Sequence, residues 1–448
     1  MKTVGRAAPT RLAARGGRGE DGSFLASRGR GRGERSRDTV APVTEDAIRE
    51  SLSQRVADTL LGARESWTRR MFELANSMRA DGGGPVYDLS LGNPSLEPPA
   101  RWKEAVRAQL ADSAPGRHRY MTNAGFPEVR AFIAGREAER YAIPLEAEDV
   151  TMTVGAAGGL NVLFRAVLDP GDEVLVPAPY FSEYDHYAAN VGAVLRPVPT
   201  TTDFELNVDE LIGAVTERTR ILLLNSPNNP TGAVYGEASL RALADGLRGL
   251  RDRGRRVLVV EDTPYRDVVH DGSHVSSMLE HYEDTVMITS HSKDLGLAGE
   301  RIGYLVISPR AHARVPLRRA TSFCNRVLGF VNAPALMQRA LPHVLGHPGG
   351  SVDVSIYADN CKRMANAVRE LGFSLRDPKA GFFLFPGLPE ALRTDDGGDV
   401  ALTEGLREAR CVVVPGTAFG RPNFLRLSMC VSPETVDGAI AAFQRVCA

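Results

Sequence analysis

The sequence of 448 residues lacks several features that define whole classes of proteins. It contains no run of about 18 uninterrupted apolar residues, so we predict no membrane-spanning helix. Its five cysteines are scattered and none forms a Cys-x-x-Cys pair, which argues against a disulfide framework and a metal site. We therefore expect reduced thiols and a cytoplasmic location. The formal net charge of -1 gives the whole chain no affinity for nucleic acid or anionic membranes.

The N-terminus has a different composition from the rest. Its first 40 residues contain ten Lys/Arg against four Asp/Glu and show no apolar periodicity. We predict a disordered Arg/Gly-rich tail over residues 1–43. A transit peptide and an electrostatic contact with an anionic partner are the alternatives to a dispensable tail. A Gly/Arg-rich segment of this length cannot form a DNA-binding domain, so we expect no regulator of transcription.

Strands alternate with helices through most of the remaining chain. Apolar runs predict strands at 150–154, 173–177, 221–224, 256–260 and 286–289. We further predict a turn over 155–159, followed by a helix over 160–168, and a helix over 329–345. The alternation indicates an α/β fold with a mostly parallel sheet between two layers of helices.

Polar segments follow several of these strands, where sheets of this kind bind ligands. The small residues Gly155-Ala156-Ala157 would let backbone N–H groups approach an anion, although many such segments are only turns. Ser226-Pro-Asn-Asn-Pro-Thr-Gly232 is a rigid polar turn. Asp262 ends an apolar strand, where a buried carboxylate needs a cationic partner unless it caps a helix. A last segment, Ser290-His-Ser-Lys-Asp-Leu-Gly-Leu-Ala-Gly-Glu-Arg301, combines hydroxyls, a lysine and an arginine.

The motifs Ser226–Gly232 and Ser290–Arg301, together with the spacing between them, give the chain a resemblance to the fold-type I, class I/II aminotransferase family, whose cofactor is pyridoxal phosphate. The resemblance extends from about Ser66 to the C-terminus and is strongest to bacterial aspartate-type enzymes. It implies a large cofactor-binding domain over 101–330. It also implies a smaller α+β domain built from the segments 44–100 and 331–448.

The resemblance implies a role for each polar segment. Lys293 would form the Schiff base with the cofactor and move the Cα proton of the substrate. Asp262 would pair with the pyridine nitrogen, and Asn229 and Tyr265 would hydrogen-bond the ring hydroxyl oxygen. Lys293, Asp262 and Tyr265 are thus the predicted catalytic residues, and Phe181 would stack on the ring. The predicted phosphate ligands are Gly155, Ala156, Ala157, Ser290, Ser292 and Arg301.

The resemblance also implies a substrate site and a dimer. Arg426, in Asn423-Phe-Leu-Arg-Leu-Ser428, matches the arginine that clamps the substrate α-carboxylate. Gly92 and Asn229 would complete the substrate site. Tyr120 matches a tyrosine that reaches across the interface of a homodimer to the phosphate in the partner subunit.

The expected function is transfer of an amino group between an L-amino acid and a 2-oxo acid, in two half-reactions. Some acid-selective relatives have a lysine at the position of Ala157, and its absence puts strict aspartate specificity in doubt. Residues 292–297 also resemble a segment of aminocyclopropane-carboxylate synthases. Elimination or ring formation on S-adenosylmethionine is therefore the alternative. We expect His291 to pack outward, with a substrate contact as the alternative.

Overall fold

The computed structural model describes residues 44–61, 67–270, 272, 274–395 and 397–447. The tail predicted over 1–43 lies outside these residues. The chain divides into two units after Gly62. The described residues of the first unit form two helices, and Thr44 caps the earlier one by accepting a hydrogen bond from the backbone N–H of Ala47. In the part of the chain that the structure describes, no helix is both long and apolar enough to cross a membrane.

All the described strands belong to the second unit. They are β1 (Tyr87–Asp88), β2 (Val150–Thr153), β3 (Glu173–Ala178), β4 (Val194–Pro199), β5 (Thr219–Asn225), β6 (Leu258–Asp262), β7 (Thr285–Ser290), β8 (Gly303–Ile307), β9 (Phe383–Leu384), β10 (Cys411–Val412), β11 (Val414–Pro415) and β12 (Leu425–Ser428). The helices are α1 (Glu45–Ser51), α2 (Gln54–Leu61), α3 (Trp67–Ala80), α4 (Ala100–Ala111), α5 (Pro127–Tyr141), α6 (Gly155–Val167), α7 (Glu183–Asn190), α8 (Val208–Gly213), α9 (Glu237–Asp252), α10 (Met278–His281), α11 (Arg314–Val327), α12 (Ala335–Ala340), α13 (Ser355–Glu370), α14 (Gly398–Glu408) and α15 (Pro433–Cys447).

The central sheet has seven strands in the order β2-β8-β7-β6-β5-β3-β4. The strands from β3 to β7 pair in parallel, whereas β8 runs antiparallel to both β2 and β7. β2 therefore points the same way as β7, and the carboxyl ends of β2, β5, β6 and β7 meet at one edge. This topology confirms the predicted α/β fold with a mostly parallel sheet.

Apolar side chains cover both faces of the sheet. Ile221 and Leu222 are consecutive on β5 and therefore point to opposite faces. Ile221 packs in a cluster with Phe164 of α6, whereas Leu222 packs in another cluster with Leu243 of α9. The helices therefore exclude water from both faces of the sheet.

Two local predictions differ from the structure, and one helix that lies beside the site was not predicted. Residues 155–159 are the first residues of α6 rather than a turn, because Gly155 adopts a φ of 68° and starts the helix at once. The helix predicted over 329–345 is shorter, since Pro334 precedes α12 and Pro342 continues the chain as a 3₁₀ turn. The polar helix α7 was not predicted, because only two of its side chains are buried.

The N- and C-terminal segments share a core. β1 pairs in parallel with β10, and Leu89 packs in one cluster with Leu427 and Phe443. Met337 of α12 instead packs with Ile133 of α5 in the core of the large domain. We therefore propose that the boundary before the C-terminal segment lies near residue 350, later than the predicted 331.

A buried ion pair joins α5 to the chain after β6. The Arg266 guanidinium donates to both carboxylate oxygens of Glu137, at 2.7 and 2.8 Å. The Tyr304 hydroxyl donates to the same carboxylate at 2.8 Å and accepts from Arg266 at 2.7 Å. Burial alone would raise the pKa of Glu137, but the charge and hydrogen bonds of Arg266 lower it overall.

Glu137→Ala should therefore lower the free energy of unfolding by roughly 3–5 kcal/mol, because the buried Arg266 would lose both of its short ionic hydrogen bonds and keep only the more distant, partly exposed Asp267 at 3.7 Å. Urea unfolding followed by circular dichroism measures the loss. Glu237→Ala is the control, since Glu237 forms an exposed pair with Arg241 on α9 and should cost under about 1 kcal/mol. Equal losses in the two variants would contradict this account of the buried pair.

Candidate active site

A pocket of about 260 Å³ lies at the edge where the strand ends meet. Most of the residues predicted from the sequence line it, namely Gly92, Ala156, Ala157, Phe181, Asn229, Asp262, Tyr265, Ser290, Ser292, Lys293, Arg301 and Arg426. Gly155 lies directly before this lining, at the start of α6, whereas Tyr120 is 90% exposed and lies outside the pocket. The structure thus brings together residues that are far apart in the chain.

Lys293 follows β7 and points into the pocket from a half-buried position. Its Nζ donates a hydrogen bond to the backbone oxygen of Gly92 at 2.5 Å and lies 5.8 Å from the centre of the Phe382 ring. Burial, together with the charges of Arg426 and Arg301 and against the effect of Cys430, lowers the pKa of Lys293 to about 8. A lysine with this pKa supplies a neutral amine close to physiological pH.

Asp262, at the end of β6, has one satisfied and one unsatisfied carboxylate oxygen. Its Oδ2 accepts a hydrogen bond from the Tyr184 hydroxyl at 2.6 Å, whereas Oδ1 is buried without a hydrogen-bond partner. Burial raises the pKa of Asp262 to about 6, although the Tyr184 hydrogen bond opposes the rise. A buried carboxylate oxygen of this kind suits a cationic N–H donor such as a protonated pyridine nitrogen.

The turn after β5 is tied to Asp262 by its asparagines. The side-chain amide of Asn225 donates to the backbone oxygen of Asp262 at 2.8 Å. The Asn225 side-chain oxygen in turn accepts from the backbone N–H of Asn229 at 2.7 Å. Burial raises the pKa of Tyr265, so its hydroxyl stays protonated and available as a donor beside Asn229. The two side chains place hydrogen-bonding groups on one wall of the pocket.

An anion cradle lies at the start of α6. A Cβ on Gly155 would come within 2.9 Å of Nη2 of Arg301, so only glycine allows this approach. The hydroxyls of Ser290 and Ser292 lie 3.1 Å apart on the same side of the pocket. Backbone N–H groups at the helix N-terminus, two hydroxyls and a guanidinium form a set of donors that suits a phosphate.

Arg426, on β12, is a buried cation at the other end of the pocket. Its guanidinium lies between the rings of Phe383 and Phe419, 4.9 and 4.8 Å from their centres. It donates to the Asn229 side-chain oxygen at 3.3 Å and to the Ser90 backbone oxygen, but none of the described acidic residues pairs with it. Burial lowers the pKa of Arg426 to about 10. A carboxylate on a ligand would supply the missing counter-charge.

The site predicted from the sequence omits four polar residues that line the pocket, Thr68, Tyr184, Tyr187 and Asn225. Tyr184 lies on α7 and donates to Asp262, and its ring packs edge-on against Phe181 at 5.5 Å. Thr68, at the start of α3, lines the pocket with a buried hydroxyl that has no hydrogen-bond partner. For Tyr184, the signal was its position one helical turn after Phe181. For Thr68, the sequence contains no comparable signal.

His291 does not face the pocket, although its neighbours Ser290 and Ser292 do. Its side chain is buried, and Nδ1 lies 2.8 Å from Oδ2 of Asp294. His291 was predicted to pack outward; its side chain is absent from the pocket lining, but it is buried in the interior. The reason is that the loop after β7 folds back onto β8.

Residues 85–443 match the family described as aminotransferase class I and II. The chain belongs to that family. The match includes both walls of the pocket, from Gly92 to Arg426. The resemblance inferred from the lysine and asparagine motifs is therefore confirmed.

Curated relatives and solved structures agree with this assignment. A probable aspartate/prephenate aminotransferase of Aquifex aeolicus is 32% identical over 89% of this chain and 99% of its own length. The aspartate/prephenate aminotransferase of Thermus thermophilus is 31% identical over 81% of this chain and 91% of its own. An aminotransferase structure from Eubacterium rectale has a TM-score of 0.82 at 31% identity, covering 88% and 98% of the two chains. An aspartate aminotransferase from Thermus thermophilus with maleate has a TM-score of 0.78 at 29% identity, covering 88% and 99%.

Aminotransferases of this family use pyridoxal 5'-phosphate, and the pocket fits it. It offers an unsatisfied carboxylate oxygen on Asp262, donors for a phosphate at the start of α6 and the amine of Lys293. When bound, the cofactor supplies an electron sink for bond breaking at the substrate's Cα. The enzyme transfers an amino group between an amino acid and a 2-oxo acid, and the names of the relatives do not favour chemistry on S-adenosylmethionine.

Lys293 in the cofactor-free protein should react with a small acylating reagent with a midpoint near pH 8. Only the neutral amine is nucleophilic, so the rate should rise up to that pH and then level off. Mass spectrometry of the peptide that contains Lys293 measures the rate at each pH. A rate that still rises steeply at pH 10.5, the ordinary pKa of a lysine, would contradict the effect of burial.

Proposed function

We propose that Lys293 anchors the cofactor and carries the Cα proton during amino-group transfer. The observation that supports this most is the convergence of Lys293, Asp262 and Arg426 in one buried pocket. Nζ of Lys293, whose pKa burial lowers to about 8, would remove the proton from Cα of the amino acid in the first half-reaction and deliver a proton to the corresponding carbon of the 2-oxo acid in the second. The hydrogen bond to Gly92 holds Nζ at the substrate end of the pocket.

The other pocket residues hold the cofactor in a fixed plane. Oδ1 of Asp262 would accept a hydrogen bond from the protonated ring nitrogen, and Tyr184 orients the carboxylate. Asn229 and Tyr265 would bind the ring hydroxyl oxygen, and Phe181 would cover one face of the ring. The cradle would hold the phosphate, with Gly155, Ala156, Ala157, Ser290, Ser292 and Arg301 as its ligands.

Arg426 binds the α-carboxylate of the amino acid and of the 2-oxo acid. Lys293, Arg301 and Arg426 are the cations among the residues that line the pocket. With Arg301 at the phosphate and Arg426 at the α-carboxylate, this lining offers no further cation for a side-chain carboxylate. We therefore propose a donor range wider than aspartate, although relatives carry aspartate in their names.

A donor screen tests this assignment of substrates. The holoenzyme is mixed with single amino acids, and its visible absorbance and the released 2-oxo acid are recorded. We expect several amino acids without a side-chain carboxylate to react at rates comparable to aspartate. A strict requirement for aspartate or glutamate would contradict the proposed range, and no reaction with any amino acid would contradict the proposed function.

Arg426→Gln should lower kcat/KM for every reactive donor, because it removes the charge that pairs with the α-carboxylate. The decrease should correspond to a loss of roughly 2–5 kcal/mol of transition-state stabilisation. Steady-state kinetics measures the effect, which should appear mainly in KM. Binding of the cofactor, followed by its absorbance, should change little. Arg421→Gln is the control, because Arg421 stacks on Phe424 outside the pocket. A selective loss of cofactor without a change in KM would contradict the role of Arg426.

We also propose that two copies associate through the face that carries Tyr120. Phe323 and Val327 of α11 are about half exposed, at 54% and 50%. A second pocket, of about 560 Å³, is lined both by Thr122, close after Tyr120, and by Phe323. Exposed apolar side chains grouped on one face are typical of an interface between subunits. Tyr120 would then reach the phosphate in the partner subunit.

Phe323→Glu should convert the dimer to a monomer, because it places a charge in a dry interface. Light scattering after size-exclusion chromatography measures the mass. Val194→Glu is the control, since Val194 is also half exposed but lies on β4 at the far edge of the sheet. Tyr120→Phe should leave the dimer intact and weaken cofactor binding roughly tenfold. A monomeric wild type, or a Phe323→Glu variant that stays dimeric, would contradict the proposed interface.

The five cysteines fit a reducing compartment. All are free thiols in the structure, and Cys324, Cys361, Cys411 and Cys430 are buried. Burial raises the pKa of Cys430 to about 11, so its thiol stays protonated and unreactive. We propose the cytoplasm as the location, because it keeps such thiols reduced.

A further inference from the structure

The loop from Ser290 to Arg301 is held from two sides. Ser290, Ser292 and Lys293 face the pocket, whereas His291 and Asp294 do not line it. Lys293 thus stands between neighbours that point in opposite directions. A lysine side chain has about 2 kcal/mol of rotamer entropy, so its position depends on how firmly its backbone is held.

The side of this loop away from the pocket contains a buried polar pair. His291 is 3% exposed, and its Nδ1 lies 2.8 Å from Oδ2 of Asp294, three residues on. Two backbone hydrogen bonds close the loop around the pair, from the N–H of His291 to the oxygen of Ile302 and from the N–H of Leu297 to the oxygen of His291. His291 and Asp294 therefore flank the short segment of sequence that contains Lys293.

The pair rests on the buried ion pair of the large domain. The His291 ring lies 5.7 Å from the ring of Tyr304, which hydrogen-bonds Glu137 and Arg266. Asp267 also interacts electrostatically with His291. Nε2 of His291 and Oδ1 of Asp294 are buried without hydrogen-bond partners, so the contact between Nδ1 and Oδ2 is the polar bond that fixes both side chains.

We propose that the His291–Asp294 pair positions Lys293, by fixing the loop on the side opposite the cofactor. The pair touches neither cofactor nor substrate, so both residues are positioning residues. Proton transfer at Cα requires Nζ within hydrogen-bond reach, and a misplacement of about 1 Å can lower the rate by about 100-fold. The inference rests on the proposed role of Lys293.

Two variants of His291 separate the positioning bond from simple packing. Asparagine places its side-chain amide near Nδ1 and keeps the donor to Asp294, whereas the longer glutamine places its amide near Nε2. His291→Gln should lower kcat by about 10- to 100-fold with little change in KM, and should release the cofactor several-fold faster. His291→Asn should keep kcat and cofactor retention close to those of the wild type. Both are measured on the holoenzyme, by kinetics and by the visible absorbance after dilution.

Further variants complete the test. His274→Gln is the matched control, because His274 forms an exposed pair with Glu280 away from this loop and should change neither property. Asp294→Ala should resemble His291→Gln, and the double variant should be no worse than either, since one bond is lost in all three. Equal behaviour of the Asn and Gln variants, or changes under twofold in both, would overturn the inference. If Lys293→Ala retains the visible absorbance of the wild type, the proposed role of Lys293 fails instead.

Discussion

The burial of charges without counter-charges is the constraint on which this site depends. Asp262, Lys293 and Arg426 are shielded from water, and among the described residues none of them has an oppositely charged partner. Burial moves the pKa of each group towards its neutral form, to about 6, about 8 and about 10. Such groups are unfavourable in an empty pocket. A cofactor with a cationic ring nitrogen and a substrate with a carboxylate would supply the missing counter-charges. The relief of this unfavourable burial would then contribute to the free energy of binding.

The rest of the structure holds these charges in place. The parallel strands place the residues that follow them at one edge, and helices keep both faces dry. Gly92 accepts the hydrogen bond from Lys293 and cannot be larger, because a Cβ would come within 2.7 Å of Phe383. Arg426 enters from β12, which belongs to a separate three-stranded sheet with β11 and β9. The site is therefore shared between the large α/β domain and the core formed by the terminal segments.

The sequence was most informative at the strand ends. A buried strand that stops at Asp262, or just before the lysine loop, leaves little freedom in where the next polar residues lie. Tyr184 was missed because it lies on a short polar helix whose buried face is visible only once the sheet is formed. Thr68 reaches the pocket through tertiary packing of α3, which no local pattern encodes. The start of α6 was predicted too late, because the glycines from Gly155 onward are typical of a turn, whereas Gly155 is the first residue of the helix. The role of Tyr120 depends on contacts between subunits, and the domain limits depend on contacts between distant segments. The periodicity of apolar residues along one chain predicts neither.

The pairing of β1 with β10 has a consequence for synthesis on the ribosome. The backbone N–H groups of Tyr87 and Leu89 donate to the oxygens of Arg410 and Val412, and the oxygen of Asn93 accepts from Cys430, so these partners all lie close to the C-terminus. The large domain can collapse as it emerges from the ribosome. The segment around Gly92, which accepts the hydrogen bond from Nζ of Lys293, lacks its partners until the last part of the chain is released. The cofactor therefore binds only after synthesis of the chain is complete. A chain truncated before these C-terminal residues lacks the complete pocket.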